Sequence, residues 1–158
     1  MKDHLRIRPL CPEDRDRIEV YFDRLKGEPG LFFNPSDFNR LRFRDFFDGK
    51  IKNLTCFVAE ESDNGIIAGM VFLATDQYLV PMLGLGIDEA YAGIGLGGRL
   101  LDFIHDYARQ QGMGGIILNV HFANTHAQAL YRKKGYEQMG ISNQVQFLFV
   151  KRFLREQA

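Results

Sequence analysis

The sequence lacks several features that mark whole classes of protein. It has no tryptophan, only two cysteines among 158 residues, and twenty basic residues against twenty acidic ones. Cys11 and Cys56 are too few for a disulfide framework, which favours a reducing, cytoplasmic environment. The formal net charge of zero gives no electrostatic reason to expect nucleic acid or an acidic membrane as partner.

Long apolar stretches are missing as well. No run approaches the roughly twenty apolar residues that a membrane-spanning helix requires, and the charged start of the chain has no apolar segment like that of a secretory leader. Internal repeats, low-complexity tracts and linker-like segments are also absent. Because 46% of the residues are hydrophobic and fourteen are phenylalanine, residues 1–158 are expected to form a single domain with a sizeable core.

The most informative stretch lies between residues 82 and 108. An apolar run predicts a buried strand, and apolar residues recur at helical spacing from residue 100 onward. Between them stand four glycines within six residues: Gly93, Gly95, Gly97 and Gly98. Glycine allows backbone N–H groups to approach a bulky anion, and a helix N-terminus attracts negative charge. The stretch therefore predicts a strand, loop and helix that bind a diphosphate.

Two other interpretations of these glycines are less well supported. Gly93, Gly95 and Gly98 match the spacing of a dinucleotide-binding turn, which expects an acidic residue about twenty residues further on, at the end of the next strand. The next predicted strand, residues 116–120, offers only Asn119. A loop that merely turns the chain would need fewer than four glycines.

Two motifs, in order, connect this stretch with a known family. Residues 92–97 read Ala-Gly-Ile-Gly-Leu-Gly, and residues 124–136 read Asn-Thr-His-Ala-Gln-Ala-Leu-Tyr-Arg-Lys-Lys-Gly-Tyr. Together they resemble the GNAT (Gcn5-related) N-acetyltransferase family, which carries (Arg or Gln)-x-x-Gly-x-(Gly or Ala), then Asn-x-x-Ala-x-x-x-Tyr and Gly-(Phe or Tyr). The resemblance covers about residues 79–136. Ala92 departs from the pattern, because the family usually has Arg or Gln there.

The resemblance implies an acetyl-CoA-binding site. In the family, the strand before the glycine loop and the strand after the central helix splay apart, and the pantetheine arm lies in the gap. The residues implied to bind acetyl-CoA are Leu85, Gly86, Ile87, Ala92, Gly93, Gly95, Leu96, Gly97, Gly98, Asn124 and Tyr131. Ala92 removes a side-chain contact to the diphosphate but leaves the backbone donors. Asn124 or Thr125 would also serve as the cap of the helix that follows.

Catalytic roles follow from the same resemblance. Tyr131 would be the general acid, since a phenol can give a proton to the departing sulfur of a thioester; its alternative is a core aromatic residue. The general base is less evident. His121, at the end of a predicted strand, is the first candidate because an unperturbed imidazole titrates near pH 6.5, and Asp76 and Glu60 follow. The resemblance implies no metal.

Outside these motifs the pattern predicts a mixed α+β sheet with helices on both faces. Predicted strands cover residues 5–7, 54–59, 66–73, 78–87, 116–120, 136–140 and 144–151. Predicted helices run from Pro12 to Gly27, from Ser36 or Asp37 to Phe47, after the glycine loop, and from Thr125 to Lys134. Such an order fits the GNAT-like acyl-CoA N-acyltransferase fold, a mostly antiparallel sheet with one splayed parallel pair.

The acceptor side is less defined by the sequence. Three aromatic residues, Phe32, Phe33 and Phe38, are expected to help select the acceptor. The second helix also carries Arg40, Arg42 and Arg44, which form either a solvated face or an entrance for an anionic substrate. On the strand before the loop, Gly84 and Gly86 share one face, which is expected to be open to a ligand.

The sequence thus predicts an N-acetyltransferase that moves the acetyl group of acetyl-CoA to a primary amine by direct attack on the thioester. The acceptor is a small amine, an amino sugar or a protein amine. The alternative is a non-catalytic module that binds acyl-CoA as a sensor or holds a partner. Tyr131 favours the enzyme, whereas Ala92 and the missing base keep the alternative open. The protein is expected to act alone or as a homodimer.

Overall fold

The computed structural model describes residues 4–25, 36–75 and 80–153. Within them, one seven-stranded sheet has the order β1-β2-β3-β4-β5-β7-β6. The strands are β1 Leu5–Pro9, β2 Leu54–Glu61, β3 Ile67–Ala74, β4 Met82–Ile87, β5 Gly115–His121, β6 Glu137–Ile141 and β7 Gln146–Arg152. The helices are α1 Arg15–Arg24, α2 Ser36–Phe47, α3 Leu96–Gln110 and α4 Thr125–Lys133. Single 3-10 turns cover Pro12–Asp14 and Glu89–Tyr91.

All described neighbours in the sheet are antiparallel except β4 and β5, which are parallel because α3 connects them. The predicted mixed α+β sheet with one parallel pair is therefore confirmed. None of the helices in the three described ranges is long and apolar enough to cross a membrane.

Most predicted elements lie where the sequence pattern put them. The β2–β3 turn forms at Asn64, whose Oδ1 accepts the Ile66 N–H at 2.9 Å. The first helix begins at Arg15 rather than Pro12, because a 3-10 turn precedes it. Five residues of the sequence analysis lie outside the described residues: Gly27, Phe32, Phe33, Asp76 and Tyr78. The side chain of Phe38 is also outside the described part.

Two hydrophobic clusters cover the two faces of the sheet. One packs α3 and α4 against the sheet and contains Leu100, Ile104, Leu118, Tyr131 and Phe149. The other packs α1 and α2 against β2 and β3 and contains Ile18, Tyr21, Phe43, Met70 and Phe72. The alternation of side chains along β3 serves both clusters, because every residue of that strand is buried.

A buried ion-pair network fixes the start of α1. Asp14 is fully buried and accepts two hydrogen bonds of 2.8 Å from Arg8, which also binds Glu60 at 2.7 Å. Burial by itself would raise the pKa of Asp14, but the hydrogen bonds from Arg8 and Cys11 outweigh it and hold that pKa well below its usual range. The network ties β1, β2 and α1 together.

Candidate functional site

The parallel strands β4 and β5 separate after two residue pairs. Met82 faces Ile117 and Leu83 faces Leu118, and no described pair follows them. From residue 84 onward, the edge of β4 that faces β5 therefore lacks a strand partner among the described residues. A gap of this kind can accept an extended ligand as an additional strand.

The direction of the backbone groups along this edge follows from one hydrogen bond. The Ile117 N–H donates to the Pro81 carbonyl at 3.0 Å, so Pro81 points its carbonyl towards β5. Backbone groups alternate between the two edges of a strand. Leu85 and Ile87 consequently present their N–H and carbonyl groups to the gap. Gly86, also predicted to contact the cofactor, turns its own backbone groups towards β3.

The glycine loop, residues 92–98, follows the 3-10 turn after β4 and includes the first three residues of α3. Gly93 and Gly95 adopt positive φ angles of 78° and 80°, which other residues rarely adopt. The first hydrogen bond of α3 runs from the Arg99 N–H to the Gly95 carbonyl at 3.2 Å, so the N–H groups of residues 96–98 precede the helical ladder. A Cβ on Gly93 would meet nothing within 4 Å. The loop thus combines open space with the donors of a helix N-terminus.

A buried carboxylate holds the chain as it enters this loop. Asp88 is only 3% exposed, and its Oδ1 accepts the Ala90 N–H at 3.0 Å. Its Oδ2 lies 2.9 Å from Nε of Arg24, at the end of α1. The Arg24 guanidinium also lies 5.9 Å from the ring centre of Tyr91. This support was not foreseen from the sequence, because it joins residues 64 positions apart.

Two of the predicted cofactor residues also have structural roles. A Cβ on Gly97 would lie 3.1 Å from Cδ2 of Leu130, so the glycine allows α3 to approach α4 closely. Asn124 caps α4, because its Oδ1 accepts the Ala127 N–H at 3.2 Å. The cap left open between Asn124 and Thr125 is therefore Asn124.

Tyr131 lies on α4, in the hydrophobic cluster that packs α3 and α4 against the sheet. It is 6% exposed, and its ring packs edge-on against Tyr136, 5.5 Å away, and Phe149, 6.3 Å away. Burial raises the pKa of Tyr131 well above its ordinary value, so its hydroxyl remains protonated. The residue thus has the form that a proton donor needs, and it also packs as a core aromatic.

A buried hydrogen bond between Tyr136 and His105 supports the packing beside Tyr131. The Tyr136 hydroxyl lies 2.8 Å from Nε2 of His105 on α3. Burial and, next, the charge of Lys151 lower the pKa of His105 to about 4, so its imidazole is neutral at physiological pH. Because this pair links α3 to the end of α4, it holds the Tyr136 ring against Tyr131. The sequence motif identified Tyr136 but not its histidine partner.

His121 lies at the end of β5, as predicted, with its imidazole partly buried. Its Nδ1 accepts the Ala123 N–H at 3.0 Å. A backbone amide can only donate, so Nδ1 carries no proton in this arrangement and the neutral ring is protonated at Nε2. To accept a proton from a substrate, His121 would first have to release the Ala123 amide.

The other described base candidate, Glu60, lies in the ion-pair network beside α1. It binds Arg8 at 2.7 Å and Arg6 at 3.0 Å. The hydrogen bond from Arg8 lowers the pKa of Glu60 despite partial burial. A carboxylate stabilised in its charged form is a weaker base, which makes Glu60 poorly suited to take a proton.

The glycine face of β4 is closed at one of its two predicted openings. A Cβ on Gly84 would overlap the ring of Phe72, which faces Gly84 across the β3–β4 pair. The expectation of an open face is therefore wrong at Gly84, because a cross-strand aromatic ring fills the space. Phe72 also packs edge-on against Phe43 of α2, at 5.4 Å between ring centres.

The three arginines of α2 divide between two tasks. Arg40 binds Asp23 at 2.7 Å and Arg44 binds Glu19 at 2.7 Å, so both tie α2 to α1. Arg42 instead lies with its guanidinium 5.5 Å from the ring centre of Phe72. Since Phe72 covers Gly84, Arg42 is the member of the set that stands near the point where β4 and β5 separate.

One polar atom lies buried without a partner next to that point. Asn119 follows Leu118, the last residue of β5 that pairs with β4. Its Oδ1 is buried and makes no hydrogen bond, and its Nδ2 lies 3.8 Å from Sδ of Met82. Buried acceptors are seldom left unsatisfied. An N–H group of a ligand in the gap would satisfy this oxygen.

Comparison with known proteins gives an independent result for this region. The model of the "Acetyltransferase (GNAT) family" matches residues 19–136. N-alpha-acetyltransferase RimI of Mycobacterium tuberculosis is 43% identical over 58 residues, which are 36% of this chain and 34% of RimI. The alignments span between about a quarter and a third of the length of the first curated relatives.

Solved structures share the fold at low sequence identity. An acetyltransferase of the GNAT family from Streptococcus pneumoniae has a TM-score of 0.74 and 23% identity, over 94% of this chain and 99% of that one. The PaiA N-acetyltransferase of Thermoplasma acidophilum, solved in complex with coenzyme A, has a TM-score of 0.68 and 16% identity, over 94% of this chain and 99% of that one.

Proposed function

Because this chain belongs to the GNAT acetyltransferase family, we propose that it transfers the acetyl group of acetyl-CoA to a primary amine. The observation that carries the proposal is the splay, in which the unpaired edge of β4 leads directly into the glycine loop. That arrangement offers strand-like pairing to an extended arm and helix N-terminal donors to a diphosphate. The residues present therefore fit acetyl-CoA.

The donor molecule would be held mainly by backbone groups. The N–H groups of residues 93–98 would bind its diphosphate, and Leu85 and Ile87 would pair with its pantetheine arm. Because the glycine loop lies at the C-terminal end of β4, the arm would run back along the strand towards Leu83. The thioester would then lie near Gly84 and Asn119, where β4 and β5 begin to separate.

Tyr131 is the proposed general acid. As the amine attacks the carbonyl carbon, the carbon–sulfur bond breaks and the sulfur takes up the phenolic proton. Burial raises the pKa of Tyr131, so the phenol is protonated before the reaction begins. The neighbouring Tyr136 and Phe149 rings limit the movement of the phenol.

His121 is the proposed acceptor of the amine proton. Its Nδ1 would act only after the hydrogen bond from Ala123 opens, so we expect base catalysis by His121 to depend on substrate binding. Replacing His121 with Gln should lower kcat while leaving acetyl-CoA affinity nearly unchanged. A kcat equal to that of the parent would assign the proton to another group or to water.

The overall proposal is tested by measuring thiol release from acetyl-CoA with a panel of amines. The panel should contain a peptide with a free α-amine, a polyamine and an amino sugar, since these represent the three acceptor classes. Thiol release that depends on one class supports the enzyme and identifies its acceptor. Binding of acetyl-CoA without amine-dependent thiol release across the panel would favour the non-catalytic module.

A further inference from the structure

One lysine lies unexpectedly close to the start of α3. Lys134 is the C-terminal cap of α4, yet its side chain extends to the first turn of α3. A Cβ on Gly98 would lie 3.5 Å from Cε of Lys134 and 3.7 Å from its Nζ. An ammonium group therefore stands beside the loop to which the proposed function assigns the diphosphate, and the following inference depends on that function.

This position is electrostatically unfavourable without an anion. The N-terminus of a helix carries partial positive charge, and a cation beside it is destabilising. Lys134 is partly compensated by Asp102 of α3, with Nζ to carboxylate distances of 3.0 and 3.1 Å. The Asp102 side chain is 61% exposed, so solvent screens this ion pair and it is expected to stabilise the position only weakly.

A purely structural role does not account for the direction of the side chain. A cation near the end of α4 interacts favourably with the C-terminal dipole of that helix. Arg132 and Lys133 already occupy the last turn of α4 and are exposed. The favourable dipole interaction therefore does not require Lys134 to reach across to α3.

The first turn of α3 has one basic residue of its own, Arg99, whose side chain extends towards β1. Arg99 donates a hydrogen bond from Nη2 to the Leu5 carbonyl at 3.2 Å and so contacts β1. Ala92, at the start of the glycine loop, has no charged group to offer an anion. Among these three positions, Lys134 is the one that places a charge near Gly98.

We propose that Lys134 is a phosphate-binding residue of the donor site, whose ammonium group contacts a phosphate of CoA at the N-terminus of α3. The long flexible stem of lysine allows Nζ to move from Asp102 to the phosphate by side-chain rotation. The residue thereby supplies the positive charge that Ala92 cannot supply from the loop itself.

Calorimetry of CoA binding tests this assignment. Lys134→Gln should weaken the affinity for CoA about tenfold, since a charge-assisted hydrogen bond to phosphate is lost. Lys133→Gln is the matched control, because it removes the same charge from the same helix end. The affinity of the parent should also fall more steeply with salt than that of Lys134→Gln.

Two further variants separate a binding role from a structural one. Asp102→Asn frees Lys134 and removes a negative charge near the phosphate, so it should leave the affinity for CoA unchanged or raise it. Ala92→Arg should restore much of the affinity that Lys134→Gln loses. If Lys134 only stabilised the packing of α3 and α4, Asp102→Asn would weaken binding and Ala92→Arg would not rescue it.

The same titrations with dephospho-CoA identify the phosphate. If the parent binds dephospho-CoA more tightly than Lys134→Gln by the same factor as it binds CoA, the contact is assigned to the diphosphate. If the two proteins bind dephospho-CoA equally well, the contact is assigned to the 3′-phosphate. Equal CoA affinity of the parent, Lys134→Gln and Lys133→Gln would overturn the inference while leaving the proposed function intact. If the parent itself does not bind CoA or acetyl-CoA, the proposed function fails instead.

Discussion

The two proposed sides of the site, for the acetyl donor and for the acceptor, present different chemical groups to a ligand. On the donor side, the unpaired edge of β4 and the glycine loop offer backbone groups, which any sequence of suitable conformation would supply. We place the acceptor side where β4 and β5 separate, and side chains from three separate elements lie near that point: Phe72, Arg42 and Asn119. We therefore expect donor binding to depend on local backbone conformation, and acceptor selection to depend on how α1 and α2 dock on the sheet.

The largest effect is expected where that docking is anchored. Asp14→Ala leaves Arg8 partly buried without its bidentate partner, and breaking such a buried pair typically costs about 3 to 5 kcal/mol. Urea denaturation measures the loss. The matched control is Asp48→Ala, which removes the pair with Arg15 at 2.8 Å, where both side chains are 44% exposed; it should cost less than about 1 kcal/mol.

The same network predicts how stability depends on pH. Since the pKa of Asp14 is lower in the folded state than in the unfolded chain, its stabilisation is complete above the unfolded value of about 4 and is lost as the pH falls through the lower folded value. Glu60 shifts in the same direction. Asp14→Asn should therefore flatten the fall in unfolding free energy below about pH 4. An unchanged acid limb would contradict the assignment of this pair.

The next effect concerns chemistry on the donor side and isolates one hydroxyl. Tyr131→Phe should fold and bind acetyl-CoA normally, because the ring still packs against Tyr136 and Phe149. Loss of a general acid typically lowers kcat about a hundredfold, which corresponds to roughly 3 kcal/mol of transition-state stabilisation. Steady-state kinetics with acetyl-CoA measure it.

A change of acetyl donor tests the assigned role of Tyr131. If the phenol protonates the departing sulfur, the defect of Tyr131→Phe should shrink with a thioester whose thiol has a low pKa. The parent with both donors is the control. Full turnover of the Phe variant with acetyl-CoA would leave Tyr131 as a core aromatic residue without a catalytic role.

A smaller effect should appear where the Phe72 ring covers Gly84 on the glycine face of β4. Gly84→Ala forces the Phe72 ring to move, and overpacking of this kind typically costs about 1 to 3 kcal/mol. Phe72→Leu in the same chain should recover part of the loss, so a double-mutant cycle should show coupling. We expect the acceptor KM to change more than the acetyl-CoA KM. Additive stability effects would mean that Phe72 does not pack on Gly84.

The conformation of the glycine loop and of the start of α4 could be predicted from the sequence because its determinants are local. Gly93 and Gly95 have positive φ angles, and Asn124 caps the helix that directly follows it. Turn chemistry likewise identified the hairpin at Asn64. In each case, the residue that determines the conformation lies within a few positions of the conformation it determines.

The surroundings of Gly84 and of the α2 arginines could not be predicted in this way, because their contacts join distant positions. Phe72 fills the space above Gly84 only through the register of β3 and β4. Arg44 lies on a helix face that looks solvated until α1 brings Glu19 to it. These contacts form only through strand register and helix docking, which the local sequence does not determine.

The smallest predicted effect tests whether the glycine loop binds through its backbone. Gly93 and Gly112 stand near opposite ends of α3 with nearly equal φ angles of 78° and 75°, and a Cβ on either would meet nothing within 4 Å. Replacing either with Ala should therefore cost similar stability, about 1 to 2 kcal/mol for a left-handed residue. Only Gly93→Ala should also weaken acetyl-CoA binding, by about tenfold or 1.4 kcal/mol.

The pair of variants separates strain from binding. Both should lower the midpoint of thermal unfolding alike in the absence of ligand, because the backbone strain and the empty surroundings are alike. Calorimetry should then place the Gly112→Ala affinity close to that of the parent, since Gly112 lies at the end of α3 remote from the loop. If both variants bind acetyl-CoA equally well, the diphosphate does not approach Gly93. The donor side would then depend on side chains such as Lys134 as much as the acceptor side does, and the contrast between the two regions would fail.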